Sequence, residues 1–186
     1  HGLRVRGEMS VAWDALRDIP WIGITGTNGK TTVTHLLQHV LAYAGLEAPM
    51  AGNVGHSAAE LAVEVLQGTR PKPDWVVMEM SSYQIEAAVE VSPRIGIWTT
   101  LTPDHLERHG TIEAYRSIKR GLLERATIPV LNADDPDIHR HCGQWSRSGL
   151  RWVSCGEHSP EAGIPPITVN AQGWVSQGEQ PLFPAD

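Results

Sequence analysis

Trp21-Ile22-Gly23-Ile24-Thr25-Gly26-Thr27-Asn28-Gly29-Lys30-Thr31-Thr32 runs from a short apolar strand through a glycine-rich turn into a helix. Gly26 and Gly29 can take backbone angles that a Cβ forbids, so successive N–H groups can converge on one anion at the helix's positive end. Lys30 adds a mobile cation, and Thr31 a hydroxyl suited to a metal ion. Strand, turn and helix come in the order that a phosphate cradle requires. The strict phosphate-loop pattern wants glycine at position 24, where this chain has Ile24, so the match is to a G-T-N-G-K-T-T variant.

Working outward, Ser10 to Asp18 reads as a short helix that Ile19-Pro20 breaks before the first strand. After the glycine turn, Val33, Leu36, Leu37, Val40, Leu41 and Ala44 recur at helical spacing, and Gly45 supplies the stop, which predicts a helix packed on a sheet. A second glycine-rich turn, Ala51-Gly52-Asn53-Val54-Gly55, leads into the capping box Ser57-Ala58-Ala59-Glu60 and a helix to about Gln67. Asp74 to Met80, Arg94 to Thr99 and Ile128 to Leu131 are apolar on both faces, as buried parallel strands are. Helices from Ser82 to Val89, capped by Ser81-Ser82-Tyr83-Gln84, and from Thr111 to Ala126 alternate with them.

That alternation predicts an α/β fold: an open, mostly parallel sheet flanked by helices, with ligands at the carboxyl ends of the strands. From about residue 150 the texture changes. Arg151-Trp152-Val153-Ser154, Ile167-Thr168-Val169-Asn170 and Trp174-Val175-Ser176 read as short antiparallel strands in a small appendage, and Pro181 to Asp186 offers no terminating element. The Pro-rich stretch from Pro160 to Pro166 is too short for low complexity. Three segments follow: a linker helix over 1–19, a core over 20–149, and an antiparallel β extension over 150–186.

At 186 residues and 41% apolar content, the chain can bury one core of ordinary size. A net charge of −6 without clustered Lys and Arg argues against a nucleic-acid partner. Cys142 and Cys155 match neither a disulfide framework nor a metal knuckle and read as free thiols, which suits a reducing cytosol. No apolar run of about 18 residues predicts a membrane span, and no charged-then-apolar leader a secretory signal. The chain begins at His1 rather than methionine, as a processed protein or, more simply, an excised piece of a longer one would.

Glu79 closes the strand Trp75-Val76-Val77-Met78 and stands before Ser81-Ser82. A carboxylate there can reach a magnesium ion held near Thr31, since hard cations take oxygen ligands; it would equally stabilise the dipole of the helix that follows. Thr99-Thr100-Leu101-Thr102-Pro103-Asp104-His105-Leu106-Glu107-Arg108-His109 concentrates polar residues after the next strand. His105 and His109 have the i, i+4 spacing of zinc ligands, but the glutamate is not directly after the first histidine and Gly110 would end the helix. His105 remains a candidate neighbour of magnesium or phosphate. His139, His141 and Cys142 read as solvated surface residues. Spacing alone makes Lys119 a snorkelling surface lysine and Asn132-Ala133-Asp134-Asp135 a turn bonded to its own backbone.

Taken together, Gly26-Thr27-Asn28-Gly29-Lys30-Thr31-Thr32, Gly52-Asn53-Val54-Gly55, Glu79-Met80-Ser81-Ser82-Tyr83-Gln84, Leu101-Thr102-Pro103-Asp104-His105-Leu106-Glu107-Arg108-His109, Tyr115 with Lys119, and Asn132-Ala133-Asp134-Asp135 resemble the Mur ligases of peptidoglycan synthesis. The resemblance spans about Pro20 to Pro136, and its Ser-Ser-Tyr-Gln and Leu-Thr-Pro-Asp-His stretches are most similar to the branch that adds D-glutamate. It implies that Gly26, Thr27, Asn28, Gly29, Lys30, Thr31 and Thr32 bind ATP phosphates, with Asn53 near the transferred group. It further implies that Glu79, His105 and a carbamylated Lys119, with the Thr31 hydroxyl, arrange two magnesium ions (Mg2+). Ser81, Ser82 and Gln84 would line the route to the acceptor. Thr100 departs from the asparagine common there, which bears on local hydrogen bonding.

The implied reaction joins D-glutamate to UDP-N-acetylmuramoyl-L-alanine through an acyl phosphate, with Lys30, the loop amides and the metals neutralising the transferring phosphoryl group. In the family, an amino-terminal domain takes the uridine part and a carboxyl-terminal domain brings D-glutamate. The resemblance therefore implies the central ATPase domain of a bacterial cytoplasmic ligase, unable to make the amide bond alone. A folate- or cyanophycin-type ligase on the same scaffold, and a P-loop kinase or regulatory nucleotide-binding module, are the alternatives the loop leaves open.

Overall fold

The first strand, β1 (Trp21–Thr25), is buried at every residue, because it runs through the middle of a sheet that carries helices on both faces. The computed structural model describes residues 5–144, 149–155 and 165–185; His1 and the proline stretch up to residue 164 lie outside them. β1 pairs in parallel with β3 (Val76–Glu79) on one side and β4 (Ile95–Trp98) on the other. β2 (Met50–Gly52) flanks β3, and β5 (Ile128–Asn132) flanks β4. The order continues through β6 (Arg151–Val153), β7 (Ile167–Val169), β8 (Trp174–Gln177) and β9 (Gln180–Pro184), giving β2-β3-β1-β4-β5-β6-β7-β8-β9.

Period-two alternation divides the strands between two apolar layers. Trp21, Val76, Met78, Trp98, Leu131 and Trp152 face one layer, which also buries Met9, Ala12 and Leu16 of α1 (Glu8–Leu16), Leu61 of α3 (Ala58–Leu66), Ile85 of α4 (Ser82–Ala87) and Leu122 of α6 (Ile112–Arg125). Ile22, Ile24 and Val77 face the other, under α2 (Lys30–Tyr43). Only Val33, Leu37 and Leu41 of α2 reach that layer; Leu36 and Val40, expected on the same face, are 59% and 60% exposed. Thr34 is the fully buried residue of the helix, Val33, Leu37 and Leu41 are half-buried, and Ala44 falls at its exposed C-cap.

Gly96 in β4 lets α6 lie directly on the sheet. A Cβ there would sit 2.7 Å from the Ala126 Cβ and 3.2 Å from a Leu123 methyl. We expect Gly96→Val to lower the unfolding free energy of this chain by about 1–3 kcal/mol through overpacking, read as a lower urea midpoint at unchanged slope.

The C-terminal segment differs from the sequence expectation in two respects. Arg151–Val153 pairs in parallel with β5, not antiparallel, because α7 (Pro136–Arg140) and the turn after it carry the chain back to the sheet's starting edge, the crossover that parallel pairing needs. A single bridge, Val153 to Ile167, then joins β7 in parallel as well. The antiparallel appendage begins at β7–β8, where the Asn170 side chain accepts from the N–H groups of Gln172 and Trp174, both at 3.0 Å. Gln180–Pro184 forms a strand where no element was expected; Pro181 and Pro184 are tolerated because β9 is the sheet's edge. Among the described residues, no helix is long and apolar enough to cross a membrane.

Candidate active site

β1 sends its loop to α2 on one face of the sheet, while the segment after β4 leads to α5 (Leu106–His109) and α6 on the other. The two departures open a crevice at the carboxyl ends of the strands, the switch point at which open α/β sheets take ligands. A cavity of about 230 Å³ lies there, lined by Gly26, Lys30, Asn53, Ser81, Ser82, Tyr83, Asp104, His105, Tyr115 and Lys119.

The loop is held from the β4 side. Gly26 has φ +156°, and a Cβ on it would collide with the Thr99 hydroxyl at 1.9 Å, so no larger residue fits. Thr99 Oγ1 donates to the Asn28 carbonyl at 2.6 Å. Thr100 Oγ1 accepts from the Asn28 N–H at 2.9 Å and donates to the Asn28 carbonyl at 3.1 Å, so this threonine serves as a loop clamp. Thr27 donates its N–H to the Thr100 carbonyl, and its hydroxyl accepts from the Thr102 N–H at 3.0 Å. Gly29 takes a left-handed conformation as N-cap of α2, whose first turn carries Lys30, Thr31 and Thr32. The Lys30 ammonium spans the loop, donating to the Gly26 and Thr27 carbonyls at 2.9 Å each.

Oxygen donors gather on one side of this loop. Glu79, 1% exposed at the end of β3, accepts from Thr31 Oγ1 and from Asn53 Nδ2, both at 2.9 Å. Asn53 is positioned because the chain must turn sharply after β2: a Cβ on Gly52 would lie 2.3 Å from the Glu79 carbonyl oxygen, and the Asn53 N–H donates to that same oxygen at 3.0 Å. The Glu79 carboxylate beside the Thr31 hydroxyl is a pair of oxygen ligands of the kind that a hard divalent cation takes.

On the other side, Lys119 is buried in the middle of α6 rather than snorkelling into water, 1% exposed. Its ammonium donates to Gly26 O at 3.0 Å and Thr25 Oγ1 at 3.2 Å, and stands 4.6 Å from the centre of the Tyr115 ring. Burial, and then the charge of Lys30, lower its pKa to about 7 against a smaller opposing pull from Asp104. Burial likewise raises the Tyr115 phenol. At physiological pH a substantial fraction of this amine is therefore uncharged and able to act as a nucleophile.

His105 has φ +52°, a left-handed conformation unusual for a residue with a Cβ, and caps α5. Its ring nitrogens lie 3.5 Å from Asp104 and 3.7 Å from Glu107, and its ring meets that of Tyr83 edge-on. His109 instead shares a 2.9 Å hydrogen bond with Ser82, so the two histidines do not converge as a zinc pair. Among the described residues the group close enough to share one ion is His56, Glu60 and Glu64 on the far side of β2, where Arg70 already binds Glu64 at 2.7 Å. His141 pairs with Asp137.

Lys30, Asn53, Ser81, Ser82, His105 and Lys119, far apart in sequence, thus meet in one cavity, with Thr31 and Glu79 bonded to its wall. Gln84 does not line it: its Oε1 accepts from the Ser81 N–H at 2.9 Å, closing the capping box of α4. Asp104, Tyr83 and Tyr115 line the cavity although sequence reasoning gave them no role there. Asp104 could have been found from its place beside His105; the tyrosines carry no signal by spacing. Asn132 and Asp135 do more than close their own turn. Asn132 Nδ2 donates to Thr99 O, and Asp135 Oδ2 accepts the Leu101 N–H, both at 2.8 Å, so they fix the segment that carries Asp104 and His105.

A glycine loop at the switch point of a parallel sheet, backed by a lysine and oxygen donors, defines the class of nucleotide-binding α/β domains. Residues 24–175 match the Mur ligase middle domain, and the chain belongs to the Mur ligase family. It is 62% identical over 185 residues to the UDP-N-acetylmuramoylalanine–D-glutamate ligase of Parasynechococcus marenigrum (strain WH8102), covering 100% of this chain and 40% of that protein. The ligase of the same name from Synechococcus sp. (strain CC9902) is 64% identical over 185 residues, with 99% and 40% covered. The chain spans about 40% of the length of these curated relatives. In fold it is similar to the MurF ligase of Thermotoga maritima in complex with ADP, with TM-score 0.63 and 19% identity over 81% of this chain and 36% of that one. It is also similar to a UDP-N-acetylmuramoyl-L-alanyl-D-glutamate–2,6-diaminopimelate ligase, with TM-score 0.61 and 23% identity over 77% and 33%.

Proposed function

We propose that this chain is the central ATPase domain of a ligase that adds D-glutamate to UDP-N-acetylmuramoyl-L-alanine in the bacterial cytoplasm. The observation that carries the reading is the convergence of Lys30, Lys119, His105 and the Glu79–Thr31–Asn53 cluster on one crevice. Residues 20–149 form the ATP-binding core, 1–19 the linker from an amino-terminal domain, and 150–186 the β extension towards a carboxyl-terminal domain.

The acceptor's L-alanine carboxylate attacks the γ-phosphorus of ATP and ADP leaves, giving an acyl phosphate. The amine of D-glutamate then attacks the acyl carbon, loses a proton and expels phosphate. Lys30 and the amides of residues 26–32 balance the charge of the phosphoryl group as it moves, which is catalysis by placement and electrostatics. Asn53 contacts the same group from the β2 side. Glu79, Thr31, His105 and a carbamylated Lys119 would hold two magnesium ions, which when bound neutralise the phosphate oxygens. The lysine modification fits the site, since the uncharged form of this amine can add to carbon dioxide and lose a proton, which leaves an anion beside Lys30. Ser81 and Ser82 face the acceptor, and Gln84 serves it by holding Ser81.

The test is phosphate release by the intact parent ligase. We expect release from ATP only when both UDP-N-acetylmuramoyl-L-alanine and D-glutamate are present, and none from this 186-residue chain alone. Phosphate transfer to a hydroxyl acceptor, or equal turnover with another amino acid, would overturn the reading.

A further inference from the structure

His109, the last residue of α5, bonds neither the loop nor the Glu79 cluster, yet it is tied to the cavity wall. Its Nε2 lies 2.9 Å from Ser82 Oγ, and its ring packs against those of Tyr83 and Tyr115 with centroids 5.4 Å from each. Its Nδ1 is buried without a hydrogen-bond partner. A neutral imidazole carries one proton, on one nitrogen or the other. On Nδ1 that proton would make a buried N–H with nothing to receive it, the rarer kind of orphan in folded proteins. On Nε2 it is used, donated to the Ser82 hydroxyl oxygen.

That choice decides what Ser82 offers to the cavity. With its oxygen accepting from His109, the hydroxyl's own proton is left to point elsewhere, and Ser82 is 3% exposed on a wall shared with Lys30 and Lys119. The Lys30 ammonium on that wall draws an anion, and a hydroxyl serves an anion only as a donor. We propose that His109, protonated on Nε2, is a positioning residue that turns the Ser82 O–H toward a carboxylate oxygen of the acceptor. This rests on the reading of the cavity as the acceptor's site.

In the intact ligase, His109→Phe keeps an aromatic ring against the two tyrosines and removes the donor. We expect it to raise KM for the nucleotide acceptor about tenfold while KM for ATP and for D-glutamate stays within about twofold. Ser82→Ala should give the same rise, the double variant no further rise, and His109→Gln, whose amide can donate in place of Nε2, should recover most of the loss. A parallel rise in all three KM values, or additive effects of the two single changes, would overturn the proposal. Long-range proton–nitrogen spectra of the His109 ring in this chain report the tautomer without any substrate, and a proton on Nδ1 would overturn it whichever acceptor the ligase takes. Failure of the ligase reading itself would appear differently, as a wild-type parent that does not turn over with the muramoyl acceptor.

Discussion

Lys30→Ala in the intact ligase should lower kcat by about 10²–10³-fold or more, the loss expected when a preorganised charge aimed at a transferring group is removed. Lys30 Nζ is anchored at 2.9 Å to two carbonyls of the loop itself, so it is already held over the crevice rather than recruited from solvent. Removing it leaves the backbone cradle intact, because the cradle is fixed by Thr99, Thr100 and Thr27 and not by the lysine. The loss should therefore fall on kcat far more than on the melting temperature. Lys30→Arg should recover little, since the planar, wider guanidinium cannot donate as a point charge to both carbonyls and a phosphate in this space. Turnover within about tenfold of wild type for Lys30→Ala would mean that the phosphoryl group is not transferred beside this lysine.

Lys119 carries the second large expectation, on both activity and stability. Lys119→Ala in the intact ligase should be nearly inactive, and millimolar acetate should restore part of the turnover if the working form of the side chain is a carbamate, because a small carboxylate can enter the space the side chain leaves. No rescue by acetate, together with full activity of wild type in carbon-dioxide-free buffer, would show that the amine itself suffices. The stability test uses this chain alone. Burial lowers the folded pKa of Lys119 from 10.5 to about 7, so between those values the unfolded chain binds a proton that the folded chain does not. Folding stability then gains from this group as pH rises across the window, at most about 1.4 kcal/mol per pH unit, and bears the full cost of the buried ammonium below it. Relative to Lys119→Met, which has no charge to bury, the wild-type chain should gain stability steadily from pH 7 to 10 in urea titrations. A difference that stays flat over that range would mean that Lys119 is not titrating there.

Much of the fold could be read from residue order. β1, β3, β4 and β5 are apolar on both faces, and only strands covered by helices on both sides can be so; the glycine turn, the Ser57 side-chain cap, the capping box at Ser81 and the stop at Gly45 fixed the intervening helices closely. The misjudged parts share a cause. Whether Arg151–Val153 runs with or against β5 depends on where α7 returns the chain, and Leu36 and Val40 are exposed because the neighbouring elements leave that side of α2 uncovered, neither of which the local pattern encodes.

The site divides in the same way. Sequence by itself determined which residues make the phosphate loop, since glycines at 26 and 29 permit its backbone angles and Lys30 and Thr31 follow within a few residues, while Thr99 and Thr100 hold it in place. Only the tertiary structure decided what Lys119 is. On helical spacing it is an ordinary surface lysine, and it becomes a half-neutral amine at the centre of the crevice because α6 lies flat on Gly96 and delivers it beneath Gly26, out of reach of water. A local motif supplies the residues and the backbone freedom, whereas desolvation is set by everything that packs around a group, and that is known only once the chain has closed on itself.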